Sequence, residues 1–522
     1  MTHSKLVEAM SKPAFYPHRP ASVELVQTHI SFVFIAGERV YKVKKAVDFG
    51  FLDFTTLEKR KHYCEEELRL NRRLAPEAYL EVAAIGEDAG GEPRLGAGRP
   101  VEYAVVMKKL PLERMLKNLL AEGKAGIEVM DAIAAKVADF HRRAETGGRI
   151  DAMGGIETIR HNHDENFEQT AAYIGRTIDR YRYDYLRDWV NRFLERERPL
   201  FEKRVADHRI RDCHGDMHAE HICLADGIVI FDCIEFNERF RFGDVAAEAA
   251  FLAMDLDYNG FPGHARAFVE AYARHSGDGD LRRLLDFYRC YYAYVRGKVT
   301  SFRLDDAHIG DADRDAAVRT ASRYFDLAFS YAARPAKKTL ILVAGLMGTG
   351  KSVFARALAP LVGAEIVQTD AVRKEMLRIP SSEHRYEGFG EGIYSPDVSR
   401  RTYARALEIA LEKLQTARAV IVDGSYKSRQ ERLQAFAAAR RAGAEAFLVE
   451  CTCPEAIVEA RLRARESEGG DISDGRWELF QAQKGGFEKI DEIPGESRFV
   501  ADTSLEADKI ALEALRRLSG LG

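Results

Sequence analysis

The stretch TLILVAGLMGTGKS, residues 339–352, determines the fold of the last third of the chain. Its first part, residues 340–344, is apolar and contains β-branched residues, which is typical of a buried strand. Residues 353–360, which follow the stretch, favour a helix. Between the two lies GLMGTGKS, residues 345–352, a complete GxxxxGKS/T pattern. This order of strand, glycine-rich loop and helix predicts a phosphate-binding loop rather than a chance glycine-rich turn.

The residue types in this loop fit the chemistry of a nucleoside triphosphate. Glycines let successive backbone N–H groups close around phosphate oxygens, and the start of the helix adds positive partial charge. Lys351 would reach the β- and γ-phosphates, and the hydroxyl of Ser352 would hold Mg²⁺. We therefore expect ATP and Mg²⁺ to bind at Gly345, Gly348, Thr349, Gly350, Lys351 and Ser352.

The composition of the 522 residues is that of a globular protein, and the length suffices for roughly two to four domains. The 78 basic and 82 acidic residues give a net charge of -4, which provides no general attraction to nucleic acid or membranes. No apolar run reaches the ~20 residues of a membrane span, and the N-terminus, with Glu8, lacks the apolar segment of a secretory signal. The seven scattered cysteines argue against a disulfide framework. We expect a cytoplasmic protein with no membrane partner, and the oligomeric state is left open.

Strand and helix patterns alternate in the downstream part of the chain. Strands are predicted at residues 340–344, 365–369, 419–423, 446–451 and 498–501, and helices between them at 399–415, 430–441 and 454–465. This alternation predicts a parallel sheet wrapped by helices. A segment with proline and lysines, residues 332–338, precedes the first strand and predicts a boundary between two domains, 1–334 and 335–522.

The upstream domain has a different order of elements. Strands are predicted at residues 31–35 and 39–44, a charged helix at 56–74, a β-rich stretch at 79–110, mainly helices at 112–205, a compact hairpin at 209–232, and helices again up to residue 331. A small β-rich lobe followed by a larger helical lobe is the order of a bilobal, protein-kinase-like fold. The sequence therefore predicts an α+β kinase-like domain followed by an α/β P-loop domain.

The segment DCHGDMHAEHICLADGIVIFD, residues 212–232, carries the candidate chemistry of the upstream domain. An Asp-Gly turn signal at residues 226–227 separates two alternating apolar runs. Pairing of these runs would bring Asp232 next to the loop that holds Asp216 and His221. Phosphoryl transfer needs such a cluster, because one carboxylate orients and deprotonates the attacking hydroxyl while others hold metal on the triphosphate.

These motifs resemble the aminoglycoside phosphotransferase (APH)-like branch of the protein-kinase fold over roughly residues 20–330. HGD at residues 214–216 matches the catalytic motif of that family, and Asp232 matches its metal-binding aspartate. Two further stretches resemble the brace of its catalytic loop and the end of one of its helices: GDVAAEAAFL at 243–252 and ADFH at 138–141. The resemblance implies that Asp216 is catalytic and that the domain transfers phosphoryl from ATP to a hydroxyl of a small molecule.

One position departs from this family, which has a metal-binding asparagine five residues after the catalytic aspartate, where this chain has His221. A neutral imidazole can ligate a divalent metal, although Mg²⁺ prefers oxygen, so we expect His221 to be a metal ligand that tolerates Mn²⁺. Two alternatives remain open. One is a nucleotide-responsive regulatory or binding protein whose upstream domain is a pseudokinase. The other is a zinc cluster of Cys213, His214, His218, His221 and Cys223.

In the small lobe, Lys42 resembles the strand lysine that contacts the α- and β-phosphates, and Glu67 resembles its partner on a helix. Leucines around Glu67 point it towards the sheet, and Glu66 is the alternative. For Lys42 the alternative is a solvated lysine on a charged strand. VVMKKLP, residues 105–111, resembles the hinge that receives adenine.

The downstream domain resembles the small P-loop kinases of the gluconate-kinase, zeta-toxin and polynucleotide-kinase type. Asp370 matches the carboxylate that orients the substrate in those enzymes, and Asp423 ends a buried strand as a Walker B aspartate does, in support of Mg²⁺ beside Ser352. Arg461 and Arg465 resemble the lid arginines that close on the triphosphate. The alternatives are a helix N-cap for Asp370 and a solvated helix face for the two arginines. The acceptor implied is a small molecule, or the end of a nucleotide or polynucleotide.

Together the two domains resemble proteins described as bifunctional aminoglycoside phosphotransferase/ATP-binding proteins, which implies two ATP-dependent kinase sites. One further pattern lies outside these motifs, since arginines recur every seven residues at Arg282, Arg289, Arg296 and Arg303. That spacing keeps them near one face of a helix. They could contact an anionic substrate, but the charge pattern favours a solvated helix face.

Overall fold

The computed structural model describes residues 3–88, 90–306, 308–380, 388, 390–468 and 476–521. The chain divides into two compact units, Met1–Ala328 and Phe329–Gly522. The boundary predicted between residues 334 and 335 lies a few residues further along the chain, and its position remains a prediction. Within the described part of the chain, no helix combines the length and the apolarity that a membrane span needs.

Helices and strands are numbered here in chain order. The helices are α1 (His3–Met10), α2 (Leu57–Asn71), α3 (Leu116–Ala121), α4 (Val129–Arg143), α5 (Arg149–Ala152), α6 (Ile156–Thr170), α7 (Arg180–Arg196), α8 (Arg198–Ala206), α9 (Glu238–Arg241), α10 (Val245–Tyr258), α11 (Pro262–Ser276), α12 (Leu281–Phe302), α13 (Asp311–Ala332), α14 (Lys351–Val362), α15 (Thr369–Met376), α16 (Pro396–Lys413), α17 (Arg429–Arg441), α18 (Glu455–Glu468), α19 (Trp477–Gly485) and α20 (Ala507–Leu518). The strands are β1 (Val23–Gln27), β2 (Ser31–Ala36), β3 (Arg39–Lys44), β4 (Tyr79–Glu87), β5 (Pro93–Leu95), β6 (Arg99–Lys108), β7 (Ile210–Asp212), β8 (Ile222–Ala225), β9 (Gly227–Ile230), β10 (Phe242–Asp244), β11 (Thr339–Ala344), β12 (Glu365–Gln368), β13 (Ala419–Asp423), β14 (Glu445–Thr452) and β15 (Arg498–Asp502).

The small lobe is built on a six-stranded antiparallel sheet with the order β1-β2-β3-β6-β4-β5. Side chains alternate along β3, so Tyr41 and Val43 enter a core cluster on one face of the sheet. Lys42 and Lys44 consequently face the other side, where α2 lies. The Thr56 hydroxyl caps α2 by accepting the backbone N–H of Lys59 at 3.2 Å.

The hairpin predicted at residues 209–232 is shorter in the structure. Only β8 and β9 pair with each other, and Ala225 lies opposite Gly227, so the chain reverses at Asp226 alone. Gly227 has a φ of 126°, which L side chains rarely adopt and which permits this tight reversal. The start of the predicted hairpin, β7, pairs instead with β10, so the loop between β7 and β8 is anchored by a strand further along the chain.

The larger lobe is helical and is organised around α10, which is buried along most of its length. The motif GDVAAEAAFL begins at β10 and runs into this helix, and the Asp244 side chain caps the helix by accepting the Ala246 N–H at 2.8 Å. Because the small residues of the motif have little bulk, neighbouring elements pack close to the helix. The lobe thus places one rigid, buried helix directly behind the loop that carries Asp216.

The second unit contains a five-stranded parallel sheet with the order β12-β13-β11-β14-β15. All five predicted strands are present, with ends shifted by at most one residue. Every residue of β11 and β13 is buried, as expected for a sheet covered by helices on both faces. The loop from Gly345 leaves the carboxyl end of β11 and leads into α14. The predicted fold class is confirmed: a kinase-like α+β domain precedes an α/β P-loop domain.

Candidate active sites

Three charged residues from distant parts of the chain meet between the sheet and α2. The ammonium group of Lys42 lies 2.9 Å from the Glu67 carboxylate and 2.8 Å from that of Asp232. Glu67 is fully buried, whereas Glu66 is more exposed and pairs with Arg69 on the same helix. Burial raises the pKa of the Glu67 carboxyl, but Lys42 and Lys44 outweigh that effect and lower it. Strand, helix and the segment after β9 are therefore joined through one ammonium group.

A second buried lysine, which the sequence reasoning missed, lies beside this group. Lys44 donates to Glu67 at 2.7 Å and also to Glu235. Burial lowers the pKa of the Lys44 ammonium, but Glu235 and Glu67 outweigh it and raise that pKa. The signal in the sequence was the two-residue period of a strand, which places residues 42 and 44 on the same face. Glu67 therefore bridges two lysines.

The loop with Asp216 is held in shape by backbone and imidazole contacts. Gly215 has a φ of 88°, and a Cβ at this position would lie 2.8 Å from the Phe240 carbonyl oxygen, so only glycine fits. His214 Nε2 lies 2.9 Å from the Phe231 carbonyl oxygen and ties the loop to the end of β9. Burial raises the pKa of Asp216, but hydrogen bonding to His218 and the nearby charge of His221 hold it at about 2. Asp216 is therefore ionised at neutral pH.

His221 lies between the carboxylates of Asp216 and Asp232. Its Nδ1 donates to the Asp216 carbonyl oxygen at 2.9 Å, which leaves Nε2 as the nitrogen with a free lone pair in the neutral ring. Nε2 lies 3.6 Å from Asp232 Oδ2. Asp232 adopts a φ of 62°, and its backbone N–H donates to the Tyr79 hydroxyl at 3.2 Å. The lone pair and the carboxylate could therefore bind the same divalent metal.

Two groups of metal-capable atoms occur within the described residues, and neither is the predicted cysteine-rich zinc cluster. One contains Asp216, His218 and His221, and the other contains His141, Cys213 and Glu248. The residues of the proposed zinc cluster are thus divided, because Cys213 lies with Glu248 and the Cys223 thiol is directed at the Pro111 carbonyl. The structure places Asp216 and His221 together and does not bring a cysteine to them.

Two carboxylates of helix α10, two helical turns apart, hold the loop that carries Asp216. Glu248 accepts the backbone N–H groups of His214 at 2.8 Å and Gly215 at 2.7 Å, and its other oxygen contacts His141 Nε2 at 2.7 Å. Asp255 accepts the N–H of Ala219 at 2.9 Å. This explains both motifs that resemble structural parts of the APH-like family, since ADFH supplies His141 and GDVAAEAAFL supplies Glu248. His141 and Glu248 of the second metal-capable group are thus already hydrogen-bonded, and Glu248 holds the loop.

In the second unit, the P-loop is held by hydrogen bonds to its backbone carbonyls and by close contact with the neighbouring strand end. Gly345 has a φ of 143°, and a Cβ there would lie 2.5 Å from the Cys451 carbonyl oxygen. Lys351 donates to the Leu346 carbonyl at 2.8 Å, and the Thr503 hydroxyl donates to that of Thr349 at 2.7 Å. Gly348 and Gly350 also have positive φ angles, of 73° and 77°. The loop thus has the backbone conformation that the glycine spacing predicts.

Asp423 ends β13 beside the P-loop. Burial raises the pKa of its carboxyl, and the charge of Lys351 and a hydrogen bond with Ser352 oppose this shift. The nearby charge of Asp370 raises it further. Asp370 lies in the first turn of α15 and pairs with Arg373 at 2.5 Å, while the N-cap position belongs to Gln368. Asp370 is therefore not the helix cap, and its charge and the Ser352 hydroxyl both act on the Asp423 carboxyl.

Of the two predicted lid arginines, the structure describes the side chain of Arg461 only. Arg461 reaches the C-terminal end of the sheet, where its guanidinium donates to the Thr503 carbonyl at 2.7 Å. A Cβ on Gly350 would lie 3.3 Å from this guanidinium, so Arg461 adjoins the P-loop. Arg463, which lies between the two predicted lid arginines on the same helix, is exposed and pairs with Glu459. The side chain of Arg465 lies outside the described residues.

Comparisons with known proteins agree with this division of the chain. A family model described as "Phosphotransferase enzyme family" matches residues 39–288, and one described as "AAA domain" matches residues 340–490. An uncharacterized protein of Mycobacterium tuberculosis strain H37Rv is 32% identical over 463 residues, which cover 88% of this chain and 89% of the relative. An uncharacterized protein of Mycobacterium bovis matches with the same values.

Two solved structures cover single parts of the chain. A gluconokinase from Sinorhizobium meliloti 1021 is 22% identical, with a TM-score of 0.26, and the match covers 35% of this chain and 93% of that protein. A choline/ethanolamine kinase family protein from Mesorhizobium loti is 14% identical, with a TM-score of 0.36, and the match covers 62% of this chain and 99% of that protein.

The fold and the two sites define a phosphotransferase-class protein with a kinase-like domain followed by a P-loop kinase-like domain. The two family models occur in the order that the motifs predicted. The chain belongs to the family that includes these mycobacterial relatives. In this chain the match to the phosphotransferase family precedes the match to the AAA domain.

Proposed function

We propose that the first domain transfers the γ-phosphoryl group of ATP to a hydroxyl of a small molecule. The observation that carries this proposal is the meeting of Lys42, Glu67 and Asp232, with His221 leading from Asp232 to Asp216. Lys42 would contact the phosphates while Glu67 holds its position. The meeting of Lys42 and Asp232, which are 190 positions apart in sequence, supports a site that could serve phosphoryl transfer.

Within this site Asp216 would receive the acceptor. Its carboxylate is ionised at neutral pH, so it can accept a hydrogen bond from the attacking hydroxyl, orient that oxygen and take its proton. Asp232 and His221 would hold a divalent metal, which supplies positive charge to the triphosphate when bound. The donor set fits such an ion, since it combines carboxylate oxygens with an imidazole lone pair, and it is suited to Mn²⁺ as well as Mg²⁺.

We propose that the second domain is also an ATP-dependent kinase. Lys351 and the P-loop N–H groups would bind the triphosphate, Ser352 and Asp423 would hold Mg²⁺, and Asp370 would orient the hydroxyl that is phosphorylated. The pKa of Asp423 responds to Lys351, Ser352 and Asp370, which supports one shared site. Its acceptor would be a small molecule or the 5′ end of a nucleotide or polynucleotide. We place both activities in the cytoplasm, where ATP is available.

A second candidate is a regulatory or binding protein in which the first domain is a pseudokinase. His221 is the observation that favours it, because an imidazole stands where the family has an amide oxygen ligand. In that case the first domain would bind nucleotide and change the behaviour of the chain without turnover.

One variant at each site of the full chain tests these proposals. Turnover of ATP is measured for the wild type, Lys351→Ala, Asp216→Asn and the double variant, with pooled small alcohols, aminoglycosides and 5′-OH oligonucleotides as acceptors. Asp216→Asn should lower turnover of first-domain acceptors about 10²–10⁴-fold while ATP still binds. Lys351→Ala should abolish only the turnover of second-domain acceptors.

The outcomes separate the candidates. Asp232→Asn should weaken binding of Mg·ATP as well as turnover, because it removes a metal-binding charge. If Asp216→Asn changes no activity while the wild type binds ATP, the first domain is a pseudokinase. If the double variant retains all turnover, neither site is where we place it.

A further inference from the structure

The four arginines spaced seven residues apart do not share one role in the structure. Arg282 and Arg303 are exposed. Arg289 is buried, and its guanidinium lies 3.7 Å from Asp257 and 3.9 Å from Asp286. Arg296 is partly buried. The interpretation as one solvated helix face is therefore wrong for two of the four.

A chain of aromatic contacts connects the middle of α12 to the catalytic loop. The ring of His218, which lies 3.5 Å from the Asp216 carboxylate, is 6.0 Å from that of Phe251 on α10. Tyr292 of α12 stacks on Phe251 with ring centres 4.1 Å apart. Arg296 follows Tyr292 by one helical turn and therefore projects from the same face of α12. This face forms a wall beside Asp216, on the side of the helical lobe.

Arg296 is held in this wall by aromatic rings rather than by carboxylates. Its guanidinium lies over the Tyr324 ring at 5.7 Å, and Tyr324 stacks on Tyr258 at 3.7 Å. Among the described residues, no carboxylate lies close enough to Arg296 to form an ion pair with it. The guanidinium also forms a side-chain hydrogen bond with Tyr324, which helps to fix its direction. A guanidinium carries five N–H donors, so the remaining ones can bind a ligand.

The acidic groups nearest to this wall are already engaged. The two oxygens of Asp255 accept the Ala219 N–H at 2.9 Å and the Asn259 side-chain amide at 3.1 Å. Glu220 pairs with Lys117. Burial has the largest effect on the pKa values of Asp216 and Glu220 and raises both, and the charge of Arg296 is among the influences that lower them. Arg296 is therefore a positive charge beside the loop that forms no ion pair with either of these engaged carboxylates.

We propose that the acceptor of the first domain is an anionic alcohol whose carboxylate or phosphate group is bound by Arg296. This inference rests on the proposed function of the first domain and adds the chemical class of its substrate. A half-buried guanidinium binds a carboxylate or a phosphate through paired N–H···O contacts, and it would repel a polycationic amino sugar. Binding of the anionic end at Arg296 would leave the hydroxyl end of the acceptor at Asp216.

The experiment compares acceptors that differ only in charge. ADP release by the full chain is measured with pooled hydroxy acids, pooled phosphate-monoester alcohols, the matching neutral polyols and the matching amino alcohols, including aminoglycosides. The proteins are the wild type, Arg296→Gln, Arg296→Lys and the control Arg282→Gln, an exposed arginine of the same helix. All carry Lys351→Ala, so that the second domain does not contribute.

We expect one of the two anionic pools to exceed its neutral counterparts at least ~100-fold in kcat/KM. The hydroxy-acid and phosphate-monoester pools identify which anion binds. Arg296→Gln should remove this preference, mainly through the KM of the acceptor, while the KM of ATP stays unchanged. Arg296→Lys should restore part of it, and Arg282→Gln should behave like the wild type.

Three outcomes would overturn the inference. A preference for neutral or cationic acceptors in the wild type contradicts it while leaving the kinase proposal intact. An equal loss for all acceptors in Arg296→Gln would mean that Arg296 only supports the fold. No turnover of any pool, with ATP bound, would refute the proposed function of the first domain itself and the inference with it.

Discussion

Removal of the Glu248 carboxylate should destabilise the loop that carries Asp216 and with it the first unit. This carboxylate is buried and accepts two backbone N–H groups, those of His214 and Gly215, at 2.8 and 2.7 Å, while contacting His141 at 2.7 Å. Glu248→Ala leaves all three without a partner in the interior. Each unsatisfied buried group costs about 1–3 kcal/mol, so with three such groups we expect the first unit to lose about 3–9 kcal/mol of unfolding free energy.

The conservative variant Glu248→Gln should lower the free energy of unfolding less than Glu248→Ala does. The side-chain oxygen in Glu248→Gln can still accept both N–H groups, so only the charge assistance is lost, and we expect a loss of about 1–2 kcal/mol. Glu66→Ala is the matched control, since Glu66 pairs with Arg69 at the surface of α2 and its loss should cost less than about 1 kcal/mol.

The assay uses the two tryptophans of the chain, Trp189 and Trp477, of which each unit contains one. In a Trp477→Phe background, the fluorescence of Trp189 reports urea unfolding of the first unit alone. The order of stability should be Glu66→Ala above Glu248→Gln above Glu248→Ala. A loss in Glu248→Ala no larger than that in Glu66→Ala would refute the reasoning, because it would show that the loop does not depend on these hydrogen bonds.

Three further predictions concern metal preference, pH and domain boundaries. If His221 is a metal ligand, His221→Asn should keep turnover and shift the preference from Mn²⁺ towards Mg²⁺, and titrations of both metals check this. Burial lowers the pKa of His163 to about 3, so the unfolded chain, with a pKa of about 6.5 for this ring, binds an extra proton between those values. As the pH falls from 6.5 to 5, the free energy of unfolding of the first unit should therefore fall by about 2 kcal/mol more in the wild type than in His163→Gln. Trp189 fluorescence measures this, and an equal fall in both proteins would contradict it. Limited proteolysis should cut within residues 334–338 to give fragments of about 37 and 21 kDa, and earlier cleavage within residues 210–235 would move the boundary.

Local patterns in the sequence were sufficient to predict most of the strands and helices and the class of each domain. The apolar run of β11, the glycines of the P-loop and the helix that follows are neighbours along the chain, so their order alone predicts strand, loop and helix. The same is true of helix α2 and of the β2–β3 hairpin. Such features depend on backbone preferences and on periods of two or 3.6 residues, which a single sequence displays directly.

The pairing of side chains across the molecule was accessible only in part. Motif order suggested that Lys42, Glu67 and Asp232 belong to one site, and the structure brings these three residues together. The sequence could not reveal that Lys44 and Glu235 extend this group, because Glu235 is 191 positions away from Lys44. The register of β7 with β10 was likewise hidden, since a three-residue strand carries too little pattern to select its partner.

The tertiary structure alone decided what the arginines of α12 do. Their spacing of seven residues puts all four near one face of a helix, and by sequence they are equivalent. In the folded chain Arg289 meets carboxylates, Arg296 meets aromatic rings beside Asp216, and Arg282 and Arg303 meet solvent. The sequence determines which residues share a helix face, because that depends on local geometry. Which surface each of them meets depends on the packing of α12 against α10 and α13, and long-range contacts of this kind leave no periodic signal along the chain.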